Sequence, residues 1–130
     1  MSWQRQFPAQ PKSVTQARRF IGEVLPDCPT EFVESIQLMV SELATNALMH
    51  GGTGFMVQIV QQGPHLRVEV TDGGSGNPEI QSPLPTEGHG RGMQMVDALS
   101  DRWGTTRAHG EIGKTVWFSL ALPATARQST

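Results

Sequence analysis

Two glycine clusters, separated by a proline-rich stretch, constrain this chain more than any other feature. Three of its 14 glycines fall within residues 73–76, and three more fall within 88–92. Glycine lets a backbone turn sharply and approach a ligand closely, whereas the prolines between the clusters exclude a helix or a central strand. Residues 73–92 are therefore predicted to form a mobile loop with glycine at both ends.

Length and charge narrow the classes of function. The 130 residues, 37% of them hydrophobic, suit one domain over residues 1–130, with flexible ends at about 1–12 and 124–130. A formal net charge of -2 argues against direct nucleic-acid binding. Neither a membrane-spanning run nor a secretion signal is present, which predicts a cytoplasmic protein without membrane association. The single cysteine, Cys28, excludes a disulfide framework and a structural zinc site.

Apolar residues at helical spacing predict three helices. The first starts with Ser13 as its N-cap and stops before Pro26; the second is capped by Thr30 and ended by Gly51 and Gly52. A third, short helix begins at Met93, directly after the second glycine cluster. The apolar stripe of the central helix comprises Val33, Ile36, Val40, Leu43 and Ala47.

Alternating apolar residues predict the strands. Residues 55–60 and 66–71 form a hairpin about 62–64, and residues 102–107 and 115–122 form two further strands. The N-terminal stretch would add an edge strand if Trp3 and Phe7 pack against the body. The fold class is therefore α+β, a two-layer sandwich of helices on one face of a mixed, mostly antiparallel sheet. The core-facing residues of the last strand are Val116, Phe118, Leu120 and Leu122.

A carboxylate and a carboxamide share one row of the central helix. Glu42 and Asn46 are four residues apart, so their Cβ atoms lie about 6 Å from each other. Such a pair can hold a proton acceptor beside an oxygen ligand for Mg²⁺. A solvated helix face is the alternative.

Asp72 begins the first glycine cluster, where a strand ends. Glycine at 74 and 76 lets the backbone approach a ligand, and an ionised carboxylate can accept a hydrogen bond from an exocyclic amine. An ordinary glycine-rich turn is the alternative. In the second cluster, residues 88–92, free N–H groups and the following helix N-terminus would converge on phosphate oxygens, with Arg91 adding charge. A flexible hinge is the alternative there.

The order of these three groups along the chain resembles the GHKL ATPase superfamily. Residues 41–51 (SELATNALMHG) resemble its N box, residues 72–76 its D-x-G-x-G box and residues 88–92 its G-x-G-x-G box. The brief segment between the two glycine boxes is most similar to the anti-sigma factor serine kinases of bacterial partner-switching systems. The fold this implies is a Bergerat-type ATP-binding fold.

The resemblance implies a role for each matching residue, with ATP and Mg²⁺ as cofactors. Glu42 would be the general base, Asn46 would coordinate Mg²⁺ and Asp72 would bind the adenine amino group. Thr115 would contact adenine or its ordered water. The adenine pocket would be shaped by Gly74 and Gly76, and the lid and phosphate loop would comprise Gly88, His89, Gly90, Arg91, Gly92 and Met93.

The same resemblance implies the partners. Besides ATP and ADP they would be a sigma factor and an anti-sigma factor antagonist, which the kinase phosphorylates on serine or threonine. The first helix would be the partner surface, and a homodimer is implied although no particular residue specifies one. Two alternatives stay open: a nucleotide-gated module that sequesters its partner without phosphotransfer, and a detached catalytic domain of a histidine kinase.

Overall fold

The chain alternates helices and strands as its hydrophobic periodicity predicts. The computed structural model describes residues 1–51, 54–73, 88–106 and 113–123, with the backbone alone at 50, 51 and 88–92. The elements are β1 (Ser2–Phe7), α1 (Lys12–Val24), α2 (Thr30–Asn46), a π-helical segment (Ala47–Gly51), β2 (Phe55–Gln62), β3 (His65–Asp72), α3 (Gly88–Leu99), β4 (Arg102–Thr106) and β5 (Lys114–Ala121).

The strands form one sheet in the order β1-β2-β3-β5-β4, and every pairing among the described strands is antiparallel. Apolar side chains on one face of this sheet pack against α1 and α2 to form a hydrophobic core. The predicted α+β fold of two layers is therefore confirmed, although the sheet is antiparallel rather than mixed. As predicted, the inward-facing residues of the last strand region are all buried: Val116, Phe118, Leu120 and Leu122.

The N-terminal stretch forms the edge strand for which Trp3 and Phe7 were the sequence signal. β1 pairs with β2 from Ser2 opposite Val60 to Phe7 opposite Phe55. The Phe7 ring stacks on that of Phe55 with 5.3 Å between centroids. Burial of Phe7 thus fixes part of a segment for which flexibility was expected. The other expected flexible end, 124–130, lies outside the described residues.

Both predicted helix caps are wrong, and a proline explains each. α1 begins at Lys12 after Pro11, and the buried Ser13 hydroxyl instead donates to the Pro8 carbonyl at 2.6 Å. α2 begins with Thr30 itself, after Pro29, without a side-chain cap. The N-cap position is taken by Pro11 in α1 and by Pro29 in α2, whose rings fix φ at -56° and -58° but carry no side-chain acceptor for the first N–H groups of the helix. No helix within the described ranges is long and apolar enough to cross a membrane.

The end of the central helix differs from the simple glycine stop that the sequence predicts. α-Helical hydrogen bonding ends at Asn46, and the chain continues as a π-helical segment to Gly51. The Ala47 N–H is shared between the carbonyls of Ala44 and Leu43. A wide π turn of this kind often lies at a functional site. Here it directly follows Asn46, the candidate Mg²⁺ ligand.

α3 begins earlier than predicted. The sequence predicts a glycine loop before a helix at Met93, whereas the helix already starts at Gly88. Glycine is a poor helix former but accepts helical dihedral angles, and each residue added to an existing helix gains a backbone hydrogen bond. The second glycine cluster therefore lies in the first turns of α3. Most of the predicted mobile loop, residues 74–87, lies outside the described part.

The partly buried Cys28, between α1 and α2, gives a test of the packing there. Burial, and secondly the charge of Asp27, raises the pKa of its thiol. Because the thiolate is the reacting form, iodoacetamide is expected to alkylate Cys28 more slowly in the folded protein than in guanidinium at the same mildly alkaline pH. Glutathione in each solvent is the control, and equal rates at mildly alkaline pH would contradict the packing.

Candidate functional site

Asp72 is a buried carboxylate at the end of β3. It lies on the helix-facing side of the sheet, with 9% of its surface exposed. Its neighbours across the ladder are Phe55 of β2 and Lys114 of β5. The Lys114 N–H approaches Oδ1 at 3.4 Å, which helps to orient the carboxylate. A carboxylate held in one orientation at this depth is suited to accept a hydrogen bond from a bound ligand.

Glycines surround Asp72 where the strands end. A Cβ at Gly54 would overlap the Phe7 carbonyl oxygen, and a Cβ at Gly113 would overlap the Asp72 carbonyl oxygen. The Gly73 N–H donates to the Gly54 carbonyl at 3.4 Å. The backbone around the carboxylate is thus packed more closely than side chains would allow. A cleft of about 420 Å³ opens beside it, lined by Gln6, Phe7, Gly54, Phe55, Met56, Thr71, Asp72 and Gly73.

The predicted adenine contact of Thr115 does not fit this arrangement. Thr115 is the register partner of Thr71, and their hydroxyl groups are 2.7 Å apart. Because side chains alternate along a strand, this pair lies on the face of the sheet opposite to Asp72. The β5 residue directly opposite Asp72 on this face is Lys114, which sequence reasoning missed. The alternation from Val116 places Lys114 on the face, and the register between β3 and β5 sets it beside Asp72.

Glu42 and Asn46 lie on the row of α2 that borders its buried face. Both are half-buried, next to the buried Met39 and Leu43. The π-helical segment that follows Asn46 ends at Gly51, three residues before Gly54. Three residues span at most about 11 Å, so this end of α2 is tethered near the end of the sheet that holds Asp72. The predicted base and ligand therefore belong to the same end of the fold as the buried carboxylate.

The chain matches the model of the histidine kinase-like ATPase domain over residues 7–120. It belongs to this family. The resemblance to GHKL ATPases seen in the three sequence boxes is thereby confirmed. Among curated proteins, none matches the chain at a significant level.

Solved structures of other proteins share the fold of this ATPase domain. The RsbU and RsbW domains of Rv1364c from Mycobacterium tuberculosis superpose with a TM-score of 0.72 at 20% identity, over 94% of this chain and 32% of that one. The histidine kinase domain of the blue-light activated histidine kinase EL346 from Erythrobacter litoralis superposes with a TM-score of 0.57 at 27% identity, over 92% of this chain and 64% of that one. A second structure of that kinase superposes with a TM-score of 0.58 at 28% identity, over 90% of this chain and 42% of that one. This chain thus spans less than two thirds of each.

Several site residues expected in an ATPase domain of this kind are only partly described. Gly74 and Gly76 lie outside the described residues. For residues 88–92 the structure describes the backbone alone, within α3. The Met93 side chain is half-buried and packs against the hydrophobic core. Its assignment to a phosphate loop therefore stays a prediction, as do those of Gly88, His89, Gly90, Arg91 and Gly92.

The donor set on α2 fits Mg²⁺ held together with phosphate groups. A carboxamide oxygen is a hard ligand of the kind that Mg²⁺ accepts, and Asn46 supplies one, while the Glu42 carboxylate beside it is a proton acceptor. Within the described ranges no three His, Cys, Asp or Glu side chains cluster in a way that would hold a metal alone. Mg²⁺ usually takes one or two protein ligands and completes its shell with water and substrate phosphate oxygens. A single protein ligand from α2, with phosphate oxygens and water as the others, is consistent with this coordination.

Proposed function

We propose that this chain is a Mg²⁺-ATP-dependent protein serine/threonine kinase that acts as an anti-sigma regulatory factor. Its substrate is an anti-sigma factor antagonist. The observation that carries the proposal is the oriented, buried carboxylate of Asp72 at the same end of the fold as Glu42 and Asn46, in a chain of the histidine kinase-like ATPase family. Asp72 recognises adenine, and Glu42 and Asn46 act at the phosphate end of the nucleotide.

Adenine recognition follows from the chemistry of Asp72. The exocyclic amine of adenine donates hydrogen bonds, and an ionised carboxylate only accepts them. The Lys114 N–H on Oδ1 helps to keep the carboxylate in one orientation. The cleft of about 420 Å³ beside the carboxylate leaves room for a flat base. Asp72 is therefore the residue that selects ATP.

Phosphoryl transfer requires a proton acceptor, and Glu42 has this role. The hydroxyl oxygen of a serine or threonine on the antagonist attacks the γ-phosphorus of ATP, and the bond to the β–γ bridging oxygen breaks. The hydroxyl proton passes to the Glu42 carboxylate, and ADP leaves. Asn46 supplies an oxygen ligand for the metal. Bound Mg²⁺ would neutralise charge on the phosphate oxygens.

We propose that α1 carries the surface that binds the protein partners. Arg18 and Arg19 are exposed there, while Glu23 is paired with Arg5 at 3.2 Å. Exposed ion pairs add little to stability, but exposed charges steer a protein partner and suppress wrong ones. We place the sigma factor and the antagonist on this side of the molecule and the whole exchange in the cytoplasm.

Transfer of label from γ-labelled ATP tests the proposal. The protein is incubated with Mg²⁺, ATP and each antagonist-type protein encoded next to its own gene. Acid-stable label on serine or threonine is the expected result. Acid-labile label on histidine would instead support a histidine kinase. The similarity to the two structures of the Erythrobacter litoralis histidine kinase favours this alternative. Nucleotide-dependent binding of a partner without transfer would support a sequestering module.

A further inference from the structure

Gly113 has a conformation and an environment that admit no side chain. Its φ is +98°, in the region that favours glycine. A Cβ there would overlap the carbonyl oxygen of Asp72 and lie 3.2 Å from its carbonyl carbon and 3.3 Å from the Gly73 Cα. These are backbone atoms, which cannot rotate aside as the tip of a flexible side chain can. The start of β5 can therefore lie this close to Asp72 only with glycine at 113.

The next residue touches the side chain of the same aspartate. The Lys114 N–H lies 3.4 Å from Asp72 Oδ1, and Lys114 is the ladder partner of Asp72. Residues 113 and 114 thus contact Asp72 at its main chain and at its carboxylate together. A side chain at 113 would push β5 away from the end of β3 and change the direction of that carboxylate.

We propose that Gly113 is a positioning residue that sets selectivity for adenine over guanine by holding Asp72 in place. The inference rests on the proposed function, in which Asp72 accepts a hydrogen bond from the base. Adenine presents an amine donor at the position where guanine presents a carbonyl acceptor. A correctly placed carboxylate therefore binds the first and repels the second. A displaced carboxylate loses this discrimination, while contacts to ribose and phosphates are common to both nucleotides.

Gly63 provides a matched control. It also has a positive φ, +57°, in the turn between β2 and β3, but a Cβ there would meet nothing within 4 Å. Gly63→Ala therefore adds backbone strain without a steric overlap. Gly113→Ala adds both. Both variants place an alanine at positive φ, so a change in nucleotide preference that only Gly113→Ala shows reports the surroundings of Asp72 rather than positive φ as such.

The experiment measures the dissociation constants of ATP and GTP by calorimetry, in the presence of Mg²⁺, for the wild type and both variants. The ATP preference should fall by about tenfold or more in Gly113→Ala and stay unchanged in Gly63→Ala, as expected for a lost hydrogen bond to a charged group. Thermal unfolding verifies that each variant is folded. If Gly113→Ala unfolds at the titration temperature, the titrations of all three proteins are made below its melting temperature, where the ATP-to-GTP preference of the folded variant can be measured.

Three results would overturn the inference in distinguishable ways. An unchanged ATP preference in the Gly113 variant would show that Asp72 does not depend on residue 113. An equal loss of affinity for ATP and for GTP would show that Gly113 has a structural role alone. If the wild type itself bound neither nucleotide, the proposed function would fail, and this inference with it.

Discussion

Glu42→Gln is expected to slow phosphoryl transfer to the antagonist by about 100- to 10,000-fold, the range found when a general base is removed. Glutamine keeps the shape and the hydrogen-bonding oxygen of glutamate but cannot take the proton of the attacking hydroxyl. Initial rates of label transfer at saturating ATP measure the effect. The ATP dissociation constant should change little, because the base acts on the transferred group rather than on adenine.

Glu31→Gln is the matched control for this change. Glu31 lies in the first turn of the same helix, where it is exposed. Removing its charge alters the net charge of the protein by the same amount without touching the candidate site. A Glu42 variant that transfers phosphate as fast as the Glu31 variant would remove Glu42 from the mechanism and favour the sequestering module.

Phe118→Ala is expected to lower the free energy of unfolding by about 3–5 kcal/mol, because it opens a large cavity in the core. Phe118 is fully buried in β5, the strand between β3 and β4, and faces the helices. Urea denaturation of the wild type and the variant measures the difference. Ser119→Ala, on the opposite face of the same strand, is the control and should change stability by about 0.5 kcal/mol or less. A loss below about 1 kcal/mol for Phe118→Ala would contradict the two-layer core.

Patterns that depend on burial alone could be predicted from the sequence. The alternation at 116–122 identified β5 and its core face, since a strand with one buried face must alternate. The stripe of α2 was likewise correct. Burial on one side of an element is a local property, so it is visible in the spacing of apolar residues along the chain.

Features that depend on a competing local partner were predicted less well. Ser13 and Thr30 are common capping residues, but a proline already starts each helix, and Ser13 has a closer acceptor in the Pro8 carbonyl. The start of α3 was placed at Met93 because glycine is a weak helix former, although it can extend a helix that is already formed. Local propensity is in both cases outweighed by what lies next to the residue.

In the candidate site, too, local patterns were predicted and contacts between distant residues were not. The place of Asp72 at the end of a strand could be predicted from the sequence, and its role as the adenine ligand stays a prediction. Thr115 was given an adenine contact although its side chain lies on the face opposite to Asp72, and Lys114 was overlooked, because the pairing of β3 with β5 joins residues far apart in the chain. A shift by one residue moves every side chain to the other face, so a role on a strand cannot be assigned without its register.

Asp101 offers a close control for the central residue, Asp72. Asp72, the last residue of β3, lies beside the start of β5, where its Oδ1 is 3.4 Å from the Lys114 N–H. Asp101, the residue before β4, lies beside the other end of β5, where its Oδ2 accepts the Ala121 N–H at 2.8 Å. Changing either aspartate to asparagine removes one charge beside β5. Only the change at Asp72 alters the proposed adenine site.

Calorimetric titration of ATP into the wild type, Asp72→Asn and Asp101→Asn, with and without Mg²⁺, tests the central claim most directly. We expect saturable binding that Mg²⁺ strengthens and that Asp101→Asn leaves unchanged. Asp72→Asn should weaken binding by about 1.5–3 kcal/mol, the contribution of a hydrogen bond to a charged group. Asn46→Ala should remove the effect of Mg²⁺. Absence of binding to the wild type at millimolar ATP, or equal affinity in the two aspartate variants, would contradict an adenine site at Asp72.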